Sequence, residues 1–223
     1  MFARTAASAL RGSSLRAMST AAAQRASSSA RRSAAVASSL TAAAGLTFYA
    51  LSQPSLELEG PKTIAGEYKT VTERSFVMLK PDGTSRQLLG KVINRFEEKG
   101  YKLVAIKSLV PSEALAKEHY ADLAGRPFYP GLVKYITCGV PVIAMVFEGK
   151  DVIRQGRRIV GATNPLEADP GSVRGQYAIS VGRNLIHASD GFDSATTEIG
   201  LWFSDAEIAS YKTANEEWVV SDN

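Results

Sequence analysis

The run Arg74-Ser75-Phe76-Val77-Met78-Leu79-Lys80-Pro81-Asp82-Gly83 decides how this chain folds. Its apolar residues make a strand-length segment, and Pro81-Asp82-Gly83 closes it with a strong turn signal. Beyond the turn, Leu88, Leu89, Val92, Ile93 and Phe96 recur at helical spacing, with Gly100 as a stop. A second strand is expected over 103–110. Ser112 then caps a helix reaching Tyr120, and a further helical stretch follows over 126–136. The segment 142–147 is apolar throughout, which predicts a strand buried on both faces. Asp151 opens a helix carrying Arg154, Arg157 and Arg158, and a long Gly/Pro/Asn-rich loop spans 161–175. A fourth strand is expected over 184–187, and Ser194 is placed at the start of a helix over 195–203. This order implies an α/β (α+β) fold: a ferredoxin-like, split β-α-β sandwich with a four-stranded antiparallel sheet and surface helices.

Upstream of this pattern the composition changes. The chain has 223 residues, 45% of them hydrophobic and 22% charged, and its pI is 9.2. That basicity is local. Residues 1–56 hold six arginines (Arg4, Arg11, Arg16, Arg25, Arg31 and Arg32), no lysine and no acid, which leaves 20 bases against 22 acids in the remainder. A net-charge argument for nucleic-acid binding is therefore weak. Segment 1–33, rich in Ala, Ser and Arg, has the composition of an organellar transit peptide, and its arginine density favours the mitochondrion over a plastid. Residues 34–71 are expected to form a weakly apolar segment followed by a polar linker, with the folded domain occupying 72–223. The uncharged core of that segment, Ala34 to Leu51, can barely span a bilayer. It reads either as an anchor that leaves the protein at the inner membrane or in the intermembrane space, or as presequence removed with the rest.

Cys138, the one cysteine, rules out an intrachain disulfide and a cysteine-built metal cluster. It is expected to be a small buried apolar residue. Glycine-loop phosphate machinery is missing too: from Gly83 to Lys91 there are six residues between the glycines instead of four, and Val92 stands where Ser or Thr belongs. Any phosphate chemistry must then use a side-chain nucleophile and cations. His187, in Asn184-Leu185-Ile186-His187-Ala188-Ser189-Asp190, is the candidate, because neutral imidazole attacks phosphorus well. The plain alternative is a structural histidine in a polar loop. His119, the rival nucleophile, falls on a helix after Lys117 and Glu118 with no Ser/Asp turn beside it.

Several blocks together resemble the nucleoside diphosphate kinases: Val77 to Gly83, Lys117-Glu118-His119-Tyr120, Arg126-Pro127-Phe128, Gly161-Ala162-Thr163-Asn164-Pro165, and Asn184 to Asp190. The resemblance runs continuously over about residues 72–220. It implies ping-pong transfer of a terminal phosphate from nucleoside triphosphates to nucleoside diphosphates, maintaining the NTP and dNTP pools. His187 would carry the phosphate, with Glu198, Tyr120 and Ser189 around it. Lys80, Arg157, Thr163 and Arg174 would hold the phosphates. Phe128, Leu132 and Val181 would form a slot for the base, and Asn184 would meet the ribose. The resemblance also implies magnesium bound mainly through the nucleotide, with no protein metal site, and a homo-oligomer, expected to be a hexamer. Read without it, Glu198 is a first-turn helix acid, Phe128 and Leu132 are helix core, and Arg154 and Arg158 are a solvated face. A competing reading is a catalytically silent scaffold or nucleic-acid-binding module on the same sandwich. Two departures stand out: Ala188 replaces the glycine common after the nucleophile, and the turn Cys138-Gly139-Val140-Pro141 carries one residue more than many relatives have there.

Overall fold

The computed structural model describes residues 63–221, all of which fall in one compact unit, Leu56–Asn223. The expected transit peptide, and the weakly apolar segment up to residue 62, lie outside the described residues. In chain order the elements are β1 (Arg74–Leu79), α1 (Pro81–Ser85), α2 (Leu89–Glu97), β2 (Lys102–Leu109), α3 (Glu113–His119), α4 (Tyr129–Ile136), β3 (Val142–Glu148), α5 (Val152–Val160), α6 (Val173–Tyr177), β4 (Ile186–Ala188), α7 (Phe192–Trp202) and α8 (Glu216–Val219). Short 3-10 turns occupy Ala121–Leu123, Pro165–Glu167 and Asp205–Glu207. The four strands form one sheet in the order β2-β3-β1-β4, every neighbouring pair antiparallel. This is the ferredoxin-like arrangement expected.

Helices cover both faces of the sheet, which is why β1 and β3 are buried along their whole length. Side chains alternate across a strand, so one face carries Phe76, Met78, Ala144 and Val146 and packs with residues of α3, α4 and α7. The other carries Val77, Leu79, Met145 and Phe147 and packs with residues of α2, α5 and α6. His187 pairs with Met78 in register, which puts it on the α3/α7 face, while its neighbours Ile186 and Ala188 belong to the opposite cluster.

Sequence and structure differ in several places. The long loop after α5 contains a 3-10 turn and the five-residue helix α6, so Arg174 sits on a helix rather than in a loop. Helix α7 begins at Phe192; Ser194 lies inside its first turn, where Oγ accepts from the Gly191 amide at 2.9 Å. Cys138 is exposed, not buried, because it falls in the turn after α4. Residues 63–71 are not a free linker. Ala65 is fully buried, its carbonyl accepts from the Arg74 amide at 2.9 Å, and Ile64 packs against the core, so the folded body extends before Thr72. No helix among the described residues is long and apolar enough to cross a membrane.

Candidate active site

Three elements meet at His187. Strand β4 presents the ring, α7 brings Glu198 and Trp202, and the end of α3 brings His119 and Tyr120. Glu198 bridges two partners: Oε1 lies 2.7 Å from His187 Nε2, and Oε2 accepts from Ser189 Oγ at 2.5 Å. With Glu198 as a carboxylate, Nε2 carries the ring proton and Nδ1 keeps its lone pair. Ser189 is fully buried, and its Oγ also accepts from the Phe76 amide at 3.2 Å, which ties the pair to β1. Because α7 starts at Phe192, Glu198 lies in the second turn, and a helix-dipole role at the first turn does not account for it.

His119 lies next to the His187 ring; their centroids are 4.7 Å apart in a T-shaped arrangement. Trp202 Nε1–H donates to His119 Nδ1 at 3.2 Å, which engages that lone pair and leaves the proton on a buried Nε2. Burial, with His187 adding to it, drives the His119 pKa down to about 2, so the ring stays neutral. Neither nitrogen of His119 is offered for attack on a nucleotide. Tyr120 is buried with its ring T-shaped to His187 at 6.2 Å, and burial keeps its phenol protonated.

His119, His187 and Glu198 place one possible ligand atom each within 4.8 Å of one another. They do not suit a resident metal. Ligation through His119 Nε2 would turn an Nδ1–H against the Trp202 N–H, and two nitrogens with one committed carboxylate are a poor set for magnesium, which prefers oxygen.

Cations gather beside β4. Lys80 is 7% exposed and Arg174 is 4% exposed. The Lys80 ammonium donates to Asn184 Oδ1, and Asn184 Nδ2 donates to the Thr163 carbonyl at 2.9 Å. Burial lowers the Lys80 pKa to about 8; Asp82 opposes the shift, while Arg174 and Arg183 add to it. Arg174 falls to about 10, through burial and then the repulsion of Arg157. Buried cations that repel one another lower the cost of bringing in an anion. Arg174 spends three N–H groups on the carbonyls of Asn184, Gly161 and Ile186, so it builds the loop as well as charging it. Arg157 Nη1 donates to the Ala188 carbonyl at 3.3 Å, while Arg154 pairs with Asp151 and Arg158 is exposed. Phe128 and Val181 are 58% and 55% exposed, and Leu132 packs against the core.

The Ala188 methyl is tolerated because the residue is a buried strand position; the left-handed residue of this segment is Leu185, at φ 70°. Sequence reasoning passed over Asp82, Tyr135, Arg183 and Trp202. Of these, only Asp82 gave a signal, and it read as a turn residue.

The family model described as nucleoside diphosphate kinase matches residues 73–208. This chain belongs to the nucleoside diphosphate kinase family. It is 54% identical over 150 residues to nucleoside diphosphate kinase A2 of Xenopus laevis, covering 67% of this chain and 97% of the relative. Nucleoside diphosphate kinase III, chloroplastic/mitochondrial, of Arabidopsis thaliana is 47% identical over 174 residues, 78% of this chain and 71% of the relative. Among solved structures, a halophilic nucleoside diphosphate kinase from Halobacterium salinarum in complex with CDP superposes with a TM-score of 0.64 at 45% identity, covering 67% of this chain and 99% of that one. The chain is thus a nucleotide-binding phosphotransferase enzyme, a nucleoside diphosphate kinase, and the catalytically silent alternative is set aside.

Proposed function

We propose that this enzyme moves the terminal phosphate of a nucleoside triphosphate to a nucleoside diphosphate through phosphohistidine at His187, and so maintains NTP and dNTP pools. The observation that carries this reading is the Glu198 carboxylate shared between His187 Nε2 and Ser189 Oγ. It fixes the tautomer and leaves Nδ1 as the nucleophile.

In the first half-reaction the Nδ1 lone pair attacks the γ-phosphorus, and the bond to the β-phosphate oxygen breaks with its electron pair on the departing diphosphate. The ring then holds the phosphate on Nδ1 and its proton on Nε2, facing Glu198. The second half-reaction reverses these steps onto a new diphosphate. Charge spreads over the phosphoryl oxygens in the loose transition state, so nearby donors supply much of the rate. Arg157 and Arg174 would take that task, and Lys80 and Thr163 would complete the phosphate cradle. Tyr120, its ring centroid 6.2 Å from that of His187, would flank the reacting nitrogen. Magnesium enters with the nucleotide as part of the substrate, where it offsets phosphate charge.

Phe128, exposed at the start of α4, is the platform on which a base would stack, and Val181 and Leu132 would complete the slot. Stacking accepts every base, which suits a broad substrate range. Asn184, already a hydrogen-bonding partner of Lys80 and Thr163, would take the ribose hydroxyls.

The arginine-rich, acid-free residues 1–33 support import into the mitochondrion, with the inner membrane or intermembrane space as the address if residues 34–51 are retained; a plastid address fits less well. A homohexamer is proposed as the assembly. One experiment tests the catalytic core of this reading. Incubation with ATP and no acceptor should leave one acid-labile phosphate per chain, mapped by neutral-pH mass spectrometry to His187. Full ATP–GDP exchange in His187→Ala would overturn it.

A further inference from the structure

Leu185 occupies the left-handed region at φ 70°, between the residue proposed to meet the ribose and the strand that presents the nucleophile. A γ-branched side chain rarely adopts this conformation, and such strain persists only where the surroundings enforce it. Here both backbone groups of Leu185 are committed. Its N–H donates to Asp82 Oδ2 at 3.1 Å, and its carbonyl accepts from the Lys80 amide at 2.7 Å. Arg174 takes the carbonyls on either side, those of Asn184 and Ile186. The Leu185 side chain is fully buried with Leu79, Ile143 and Ile186.

Asp82 is itself held. Its second oxygen, Oδ1, accepts from the Tyr135 hydroxyl, and the Asp82 amide donates back to that same hydroxyl at 3.2 Å. Arg183, two residues before Leu185, lies over the Tyr135 ring at 4.1 Å. Approach of α1 to this turn also needs Gly83, because a Cβ there would lie 2.4 Å from Leu79 Cδ1 and 3.1 Å from the Leu185 carbonyl.

We propose that Asp82, braced by Tyr135, is a positioning residue for phosphotransfer: it holds Leu185 left-handed, and that single conformation sets Asn184 and His187 in register for one bound nucleotide. This rests on the reading of His187 as nucleophile and Asn184 as ribose contact. If φ at 185 relaxed to negative values, the peptide between residues 184 and 185 would rotate. Asn184 would leave Lys80 and Thr163, and the entry into β4 would shift with it. Ribose contact and phosphorus attack would then weaken together.

The test is a double-mutant cycle on the full chain, with kinetics expressed per phosphorylatable site. Asp82→Ala should lower kcat/KM at least tenfold and raise the nucleotide KM, while Tyr135→Phe should lower kcat/KM two- to fivefold. Glycine is left-handed at no steric cost, so in the L185G background Asp82→Ala should cost threefold or less. Because L185G also empties a core position, L185N serves as the second background, asparagine being tolerant of this region. If neither background folds, KM and kcat of Asp82→Ala alone decide. A variant that merely loses folded enzyme keeps KM and per-site kcat, and that result overturns the proposal. So does an equal loss from Asp82→Ala in every background. Should His187→Ala retain exchange, the catalytic reading itself fails, a result separable from any outcome at Asp82.

Discussion

Glu198 Oε1 lies 2.7 Å from His187 Nε2, while its other oxygen accepts from Ser189 at 2.5 Å. One carboxylate thereby orients the ring proposed as the nucleophile and is itself oriented by a buried hydroxyl. Glu198→Gln keeps the shape but loses the charge that stabilises the ring proton during transfer. The expected loss is about 10²- to 10³-fold in the single-turnover rate of phosphohistidine formation, comparable to removing a preorganised catalytic hydrogen bond. Ser189→Ala should cost about tenfold, since Glu198 keeps His187 as a partner. Rapid-quench labelling with ATP measures both. Rates within threefold of the parent for Glu198→Gln would show that the tautomer is fixed by something else.

Lys80 gives the site an alkaline limit. Its folded pKa of about 8 lies below the ordinary 10.5, chiefly because it is buried. Above about pH 8 the free enzyme loses a cation proposed to face the phosphates, so kcat/KM should fall roughly tenfold per pH unit there. Stability should run the other way. The unfolded chain holds the Lys80 proton up to 10.5, so folding releases it between 8 and 10.5 and the nucleotide-free protein gains stability as pH rises through that window. Lys80→Gln should be weaker at every pH and lack the alkaline limb. A pH–rate profile and chemical denaturation at pH 7.5 and 9.5 check the two signs.

Base binding should respond to stacking area rather than base identity. Phe128 is 58% exposed, so it is free to stack and contributes little to the core. Phe128→Ala should weaken nucleotide binding by about 1–2 kcal/mol, roughly five- to thirtyfold in KM, to a similar degree for purine and pyrimidine substrates. The thermal midpoint should be nearly unchanged. A loss confined to one base would point to hydrogen-bonded readout instead.

How much of this was legible in the sequence depended on how local the cause was. Ser112 capping α3 and Gly100 ending the turn after α2 at φ 98° are local signals, and both stand. So does the uninterrupted apolar run of β3, because burial on both faces writes itself directly into residue types. The start of α7 was misplaced because Ser194 reaches back to the Gly191 amide from inside the helix; the same hydrogen bond serves either placement. Helix α6 was invisible, being only five residues long and stitched to its surroundings by Arg174. At the candidate site, motif resemblance picked out His187 and Glu198, which the fold brings within 2.7 Å of each other. The left-handed Leu185 was not picked out, since the groups its backbone bonds, Asp82 and Lys80, lie about a hundred residues away in the chain.

The placement of residues 63–71 leads to a stability prediction. Arg74 Nε pairs with Glu148 at 2.9 Å, and Lys102 reaches the other oxygen at 2.7 Å, in a cluster where Arg74 and Glu148 are 3% and 5% exposed. Arg74 also donates to the Ile64 carbonyl at 3.2 Å, so the ion pair that joins β1 to β3 holds the incoming chain against the sheet. Arg74→Ala leaves a buried carboxylate with one partner, and breaking such a pair costs about 3 kcal/mol, at the low end because Lys102 remains. A chain that starts at Thr72 keeps the ion pair but loses the buried Ala65 and the packed Ile64, for a cost of about 2 kcal/mol. A chain that starts at Thr63 keeps all of these contacts and serves as the reference. Urea midpoints for the three proteins separate these contributions. If the Thr72 start were as stable as the Thr63 start, residues 63–71 would be dispensable packing, and the sequence-based boundary would describe the stable domain after all.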